Sequence, residues 1–303
     1  MNIVLAVCTY RRPQELKKLL LALCDLHGEH DLRVVIADND SAAEGVAVCQ
    51  ALAPDYPFEV SCFEVDSSGI SAVRNTLTRK ALDLAPEFIV FLDDDEWPEP
   101  QWLSELLRVQ AQFDADLVGG PTRPVFPESA DPALLDNPYY GADLNLPDGS
   151  ACQLQAGGNF LARASVIERY SPSFFDEAFS HSGSEDLAFF ARLGQDGHRM
   201  RWAANAIVRE PVPESRLAKG WLRQRVINIH NSRVRAMQLL QPSTLASIVR
   251  VGKTLGLASV VAILSAASVV LPNYRTPARL LRWKLIGKLS AHLGRATVRG
   301  ETY

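Results

Sequence analysis

The 303 residues are 47% hydrophobic and 22% charged, the make-up of an ordinary globular protein with room for one large domain or a domain plus an appendage. The five cysteines are odd in number and show no Cys-x-x-Cys spacing, which argues against a disulfide framework or a zinc site and for buried thiols in a reducing compartment. The net charge of −4 hides a polarity: no Asp or Glu lies between Glu214 and Glu301, so residues 216–303 carry +14 and residues 1–215 carry −18. Such asymmetry calls for a partner with an anionic surface, either membrane or nucleic acid.

From the N-terminus, Met1-Asn2-Ile3-Val4 runs straight into a strand-like segment and reads as free of a secretory signal. Apolar, β-branched runs predict strands over 3–8, 32–37, 58–65, 88–92 and 116–118. Between them, helical spacing predicts helices over 13–26, with Leu16, Leu19, Leu20 and Leu23 on one face, and over 42–52, 70–84 and 100–112. This alternation implies right-handed crossovers and an α/β architecture, a mostly parallel, Rossmann-like sheet flanked by helices.

Ligands of such sheets gather beyond the carboxyl ends of the strands. The residues found there are Thr9-Tyr10-Arg11-Arg12, Asp38-Asn39-Asp40-Ser41, Asp66-Ser67-Ser68-Gly69 and Asp93-Asp94-Asp95-Glu96. The last group follows the fully apolar Phe88-Ile89-Val90-Phe91-Leu92, and clustered carboxylates at a sheet edge are costly unless a cation or hydroxyls share their charge. Oxygen-only ligands suit Mg2+ or Mn2+, which bind through one or two carboxylates plus substrate phosphates. Asp95 is the candidate for direct metal contact, and Asp93 or Asp94 would join it or accept hydrogen bonds from ribose hydroxyls. Asp38 fits either an Asx turn or an acceptor for a nucleotide base N–H, and Tyr10 either a rim aromatic or a stacking surface. Arg74-Asn75 is placed to face phosphates or to hold the aspartates.

Beyond residue 120 the pattern loosens. Residues 121–150 form a long Pro-, Asp- and Asn-rich excursion. Gly157-Gly158-Asn159 would permit close backbone approach to a ligand. Residues 184–193 read as a helix opened by Ser184, whose first-turn Glu185 and Asp186 serve either the helix dipole or as a general base. Short strands are expected over 199–208 and a long basic helix over 217–240. His181, His198 and His230 have no ligand spacing. The 18 residues 254–271 are uncharged, at the lower edge of a bilayer span of about 20 residues. Residues 275–299 mix Arg, Lys, Leu, Ile and Trp283, as in an amphipathic helix lying on anionic lipid. Nucleic acid is the poorer partner, because this tail has no stacking platform.

The motifs Val7-Cys8-Thr9-Tyr10-Arg11-Arg12-Pro13, Ile36-Ala37-Asp38-Asn39-Asp40-Ser41, Gly69-Ile70-Ser71-Ala72-Val73-Arg74-Asn75, Phe91-Leu92-Asp93-Asp94-Asp95-Glu96-Trp97-Pro98 and Gly183-Ser184-Glu185-Asp186 occur in that order. Over about residues 1–235 the chain resembles the inverting family 2 glycosyltransferases of GT-A fold, nearest the bacterial succinoglycan-type exopolysaccharide branch. The resemblance implies a nucleotide-diphosphate-sugar donor, commonly a UDP-sugar, and a hexose as the transferred group. It places Mg2+ or Mn2+ at Asp93 and Asp95, donor contacts at Thr9, Tyr10, Arg12, Asp38, Arg74, Asp93 and Asp94, and the catalytic base at Asp186 beside Glu185. It further implies a polyprenyl-diphosphate-linked glycan acceptor, met by a cytoplasmic enzyme held peripherally on the inner face of the cell membrane, with one spanning helix as the other option. Trp221-Leu222-Arg223-Gln224-Arg225 stands where processive members carry Gln-x-x-Arg-Trp, which points to single-sugar addition. The expected division is a catalytic domain over 1–240 and a basic, partly apolar membrane-associating segment over 241–303. A nucleotidyltransferase making a nucleotide sugar is the alternative, but Thr9-Tyr10-Arg11-Arg12-Pro13 lacks the glycines of its phosphate loop.

Overall fold

The apolar runs become strands buried on both faces because helices cover both sides of the sheet. A computed structural model describes residues 1–26, 31–67, 69–180, 185–218 and 220–295. The first half alternates as expected: β1 (Asn2–Thr9), α1 (Pro13–Leu23), β2 (Asp31–Asp38), α2 (Glu44–Leu52), β3 (Glu59–Glu64), α3 (Ile70–Leu82) and β4 (Phe88–Asp93). There follow β5 (Trp97–Pro98), α4 (Trp102–Phe113), β6 (Leu117–Gly119), β7 (Thr122–Val125), β8 (Phe160–Arg163) and α5 (Ala164–Glu168). The remainder comprises α6 (Glu185–Gln195), β9 (Met200–Trp202), β10 (Val208–Pro211), α7 (Glu214–Leu217), α8 (Trp221–Leu240), α9 (Thr244–Val270) and α10 (Arg275–His292).

The main sheet has the order β3-β2-β1-β4-β8-β6-β9. Along β1, Ile3, Leu5 and Val7 face a core shared with Leu16, Leu19 and Leu20 of α1 and with Trp102 and Leu106 of α4. Val4 and Ala6 face the other, shared with Val73 and Leu77 of α3 and with Phe160, Phe189 and Phe190. β1 pairs in parallel with β2 and with β4, and the register sets Thr9 opposite Asp38 and Cys8 opposite Asp93. Three polar strand ends therefore share one edge.

The strand over Leu117–Gly119 does not follow β4 directly. β8 lies between them, antiparallel to both, and β5, β10 and β7 form a second, three-stranded sheet. The predicted helix over 217–240 is two helices, α7 and α8, and the chain turns at Gly220 (φ 112°). Cys24 is exposed and only Cys49 of the five cysteines is buried, so the expected burial of the thiols holds for one. Ser184, His181 and Gly183 lie outside the described residues.

Three basic helices close the chain. α9 starts ten residues before the uncharged stretch, where the Ser243 Oγ accepts from Ala246 N at 3.3 Å. α10 crosses α8 at Gly287, where a Cβ would fall 2.4 Å from the Ile227 carbonyl oxygen. Asn231 Nδ2 ties the pair by donating to Ser290 Oγ and to the Arg295 carbonyl, each at 2.8 Å. α9 buries only Thr254 and Val261 and leaves most of its apolar side chains on the surface.

Candidate active site

A pocket opens beyond the carboxyl ends of β1 and β4. Its floor is Cys8, Thr9, Tyr10 and Arg12 after β1 and Asp93 to Glu96 after β4. Val73 and Arg74 of α3, Gly157 and Gly158, and Asp186 of α6 form one wall. Thr122, Gly141 and Ala142, with Glu210, Arg216 and Arg225, form the opposite one.

The acidic turn is held by cations and hydroxyls of the chain itself. Thr9 Oγ1 donates to Asp94 Oδ2 at 2.8 Å, and Arg12 Nη1 reaches Asp94 Oδ1 at 3.2 Å and Asp95 Oδ2 at 2.8 Å. Arg216 bridges Glu210 and Asp95, the latter at 3.8 Å. Glu96, 4% exposed, accepts from Thr122 Oγ1 at 2.9 Å and from the Asp93 amide at 3.2 Å. Burial pushes the Asp94 carboxyl up to about 6, against the pull of Arg12 and Thr9. Burial and the nearby Glu210 carboxylate push Asp95 up to about 7. Burial, with repulsion from Asp93 and Glu210, keeps Glu96 well above the carboxylate range. Such a cluster is short of positive charge.

Arg74 joins this turn to α6. Its guanidinium, buried by α3, contacts Asp93 Oδ1 at 3.0 Å and Glu185 Oε1 at 3.3 Å. Burial opposes its charge, but Glu185, Asp93 and Asp186 together outweigh burial and raise its pKa. Asp186 turns into the pocket and its Oδ2 accepts from the Gly157 amide at 2.9 Å. A side chain at position 157 would come within 2.0 Å of Arg74 Nη1 and 2.9 Å of Asp186 Cβ. Gly157 thus admits the site's own side chains, where close approach of a ligand was expected.

Of the expected residues, Thr9, Tyr10, Arg12, Arg74, Asp93, Asp94, Asp95 and Asp186 line this pocket. Two do not. Asp38 is 1% exposed, and its carboxylate accepts the amides of Asp40, Gly45 and Val46 at 3.0, 2.8 and 3.2 Å. It secures the start of α2 and leaves no face for a base; the neighbouring Asn39 lines the pocket in its place. Glu185 is the buried counter-ion of Arg74, 3% exposed, so of the two expected acids only Asp186 lines the pocket. The metal pair is also split, since Asp93 turns to Arg74 and Asp95 to Arg12, and among the described residues no three metal-ligating side chains converge.

Sequence reading gave no site role to Asn39, Glu96, Thr122, Glu210, Arg216 or Arg225, all of which line the pocket. Glu96 adjoins the acidic triplet and was within reach of the charge argument. The other four beyond residue 120 are isolated polar residues that only the pairing of β7 with β10 and the turn into α8 bring here. His230 is buried, with Nε2 3.0 Å from the Tyr139 hydroxyl, and burial lowers its pKa to about 3, first among causes, followed by nearby lysines. It anchors the excursion to α8.

The family model of glycosyl transferase family 2 matches residues 4–171, more than half of the chain. This chain belongs to glycosyl transferase family 2. The family 2 chain is 32% identical over 231 residues to the succinoglycan biosynthesis protein ExoM of Rhizobium meliloti (strain 1021), covering 74% of this chain and 72% of that one. Among solved structures it superposes on the mannosyltransferase PcManGT of Pyrobaculum calidifontis, in complex with GDP-Man and Mn2+, with TM-score 0.69 and 16% identity over 97% of this chain and 87% of that one. It also superposes on S. aureus TarS 1-349 in complex with UDP-GlcNAc, with TM-score 0.56 and 11% identity over 100% and 98% of the two chains. Against a longer TarS chain it spans 40% of the length. The fold of this family 2 glycosyltransferase is accordingly GT-A, with C-terminal helices added.

The donor set fits a divalent cation. All its candidate ligands are carboxylate oxygens, and Asp94, Asp95 and Glu96 are held above their ordinary range. Mg2+ and Mn2+ need only one or two carboxylates when phosphate oxygens and water complete the shell, so the lack of a three-residue cluster is no obstacle.

Proposed function

We propose that this glycosyltransferase inverts the anomeric carbon as it moves a hexose from a nucleotide-diphosphate sugar, a UDP-sugar first, to a lipid-linked oligosaccharide in exopolysaccharide or cell-surface glycan synthesis. One observation carries the reading: Asp186 and the Asp93–Asp95 turn face the same pocket, with Arg74 between them. A donor laid along the turn would present its sugar toward Asp186. The carboxylate, steadied by Gly157 N, would take the acceptor hydroxyl proton as that oxygen attacks, a contribution of about 10²–10⁴ in rate.

The leaving nucleoside diphosphate gathers negative charge as it departs. Arg12 and Arg216 stand at the acidic turn to meet it, and Arg74 keeps Asp93 oriented. Asp95, with Asp94 beside it, would hold a divalent cation; when bound, that cation neutralises the departing diphosphate. Tyr10 lines the pocket and would offer its ring for a base to stack on. The names of the relatives support this reading, since one is a succinoglycan biosynthesis protein and two were solved with a nucleotide sugar.

Incubation with a panel of nucleotide sugars, with and without Mn2+, tests the proposal by thermal shift and by release of the nucleoside diphosphate. Cation-dependent stabilisation by one donor is expected, because a ligand bound only to the native state stabilises it by mass action. Pyrophosphate release from a nucleoside triphosphate and sugar phosphate would instead establish the nucleotidyltransferase.

A further inference from the structure

Where α10 packs on α8 and α9, Arg233, Lys253, Lys284 and Lys288 lie close enough for the other three to act on the charge of Lys288, on three helices that hold no Asp or Glu. Lys284 and Lys288 are one turn apart and flank Gly287, the point at which α10 touches Ile227 and Asn231 of α8. Arg233 follows two residues after Asn231. Among the described residues none of the four forms an ion pair. Their crowding has an electrostatic cost: burial first, then Lys284, Arg233 and Lys253, lower the pKa of Lys288. A folded chain that gathers unpaired cations where a carboxylate would relieve them has left the place for an external anion.

Two further observations identify the anion. The patch adjoins the active site: Arg233 Nη1 donates to Gln155 Oε1 at 3.5 Å, and Gln155 precedes by two residues the Gly157 whose amide holds Asp186. It also adjoins α9, where Leu245, Ile248, Leu255 and Ile263 are each at least 60% exposed. An anion attached to a long apolar chain uses both neighbours, whereas a nucleic acid gains nothing from exposed leucine and isoleucine.

We propose that Arg233, Lys253, Lys284 and Lys288 form a binding site for the diphosphate headgroup of a polyisoprenoid lipid, holding the acceptor while its glycan end reaches Asp186. This rests on the glycosyltransferase reading with a lipid-linked acceptor. Four cations converging on one small polyanion favour it over phosphatidylglycerol, whose single charges are spread across a surface. The site thus sets which lipid is used, beyond a general attraction to anionic membranes.

Sedimentation of the full chain with vesicles tests this, using phosphatidylcholine doped with polyprenyl diphosphate or, at matched surface charge, with phosphatidylglycerol. The chain is expected to bind the diphosphate vesicles on the order of tenfold more tightly. The double variant Lys284→Gln, Lys288→Gln should lose that preference, while the control Lys17→Gln, Lys18→Gln on α1 keeps it. Arg233→Gln, at an exposed position, gives the same reading should the double variant fail to fold. Equal binding to both vesicles, or an undiminished preference in the variants, overturns the site. Donor-induced thermal stabilisation is measured on the same samples. Its loss in the unmodified chain would strike the glycosyltransferase reading itself, whereas its presence without headgroup preference removes only this site.

Discussion

Asp94 and Asp95 stand one peptide apart, and both titrate above an ordinary carboxylate because the fold buries them. The native state therefore keeps protons that the unfolded chain releases. Their contribution to stability is fully present below the unfolded value of about 4 and is lost as pH rises through about 6 for Asp94 and about 7 for Asp95. His230 works against this trend, since its depressed value removes stability as pH falls below about 6.5. Comparison with Asp95→Asn isolates the carboxylate: between about pH 4 and pH 7 the unmodified protein should lose stability relative to the variant, most steeply near about pH 5.5 and levelling off above about pH 7, in parallel thermal melts. A constant difference would show Asp95 titrating normally. Cation binding has the opposite dependence, so the Mn2+-driven thermal shift should grow over the same range. For Asp186 the expectation is a separation of binding from chemistry. Asp186→Asn keeps an oxygen for the Gly157 amide, so donor stabilisation should persist while transfer falls by about 10²–10⁴. Unchanged turnover would move the base elsewhere.

Among the elements, those covered on both faces were the legible ones. Ile3 to Val7 and Phe88 to Leu92 are apolar throughout because helices pack on each side, and Leu16, Leu19, Leu20 and Leu23 mark the buried face of α1. The strand ends followed, and with them most of the pocket floor. The antiparallel insertion of Phe160–Arg163 was not legible, because three apolar residues and an arginine state no direction. Nor was the role of Asp38, whose capping of α2 and recognition of a base call for the same residue at the same place. Glu210 and Arg216 needed the β10 pairing before their charges had an address. A comparable hidden constraint is Gly287. Its missing side chain lets α10 approach the Ile227 carbonyl, and a Cβ there would sit 2.4 Å from that oxygen. Gly287→Ala should force α8 and α10 apart at a cost of about 1–3 kcal/mol, read as a lower denaturant midpoint. Donor binding should weaken with it, because α8 also carries Arg225 into the pocket. An unshifted midpoint would mean that the helices are not in contact at this residue.

At the scale of the molecule, an acidic catalytic body meets a strongly basic, partly apolar helical end. α9 is long and apolar enough to cross a bilayer, yet Arg250 and Lys253 lie within it, and Arg250 is tied to the Met237 and Gln241 carbonyls at 3.1 and 2.9 Å. Thr254 of α9 and His292 of α10 lie 3.1 Å apart, and α10 in turn packs on α8 at Gly287. A helix so anchored to its neighbours leaves Leu245, Ile248, Leu255 and Ile263 exposed, and clustered apolar exposure of this kind marks a contact surface. Peripheral binding would combine two forces that salt separates. The cations act through a field screened beyond about 8 Å at physiological ionic strength, whereas burial of Leu245, Ile248 and Leu255 in lipid is indifferent to salt. Flotation of the full chain with anionic vesicles should therefore weaken but persist at high salt. The residual binding should vanish in Ile248→Asn, Leu255→Asn, a variant whose changes are confined to exposed positions. Alkaline carbonate should strip the unmodified protein from the vesicles; retention through that wash would assign α9 to a full span, and complete release by salt alone would leave the apolar face without a role at the membrane.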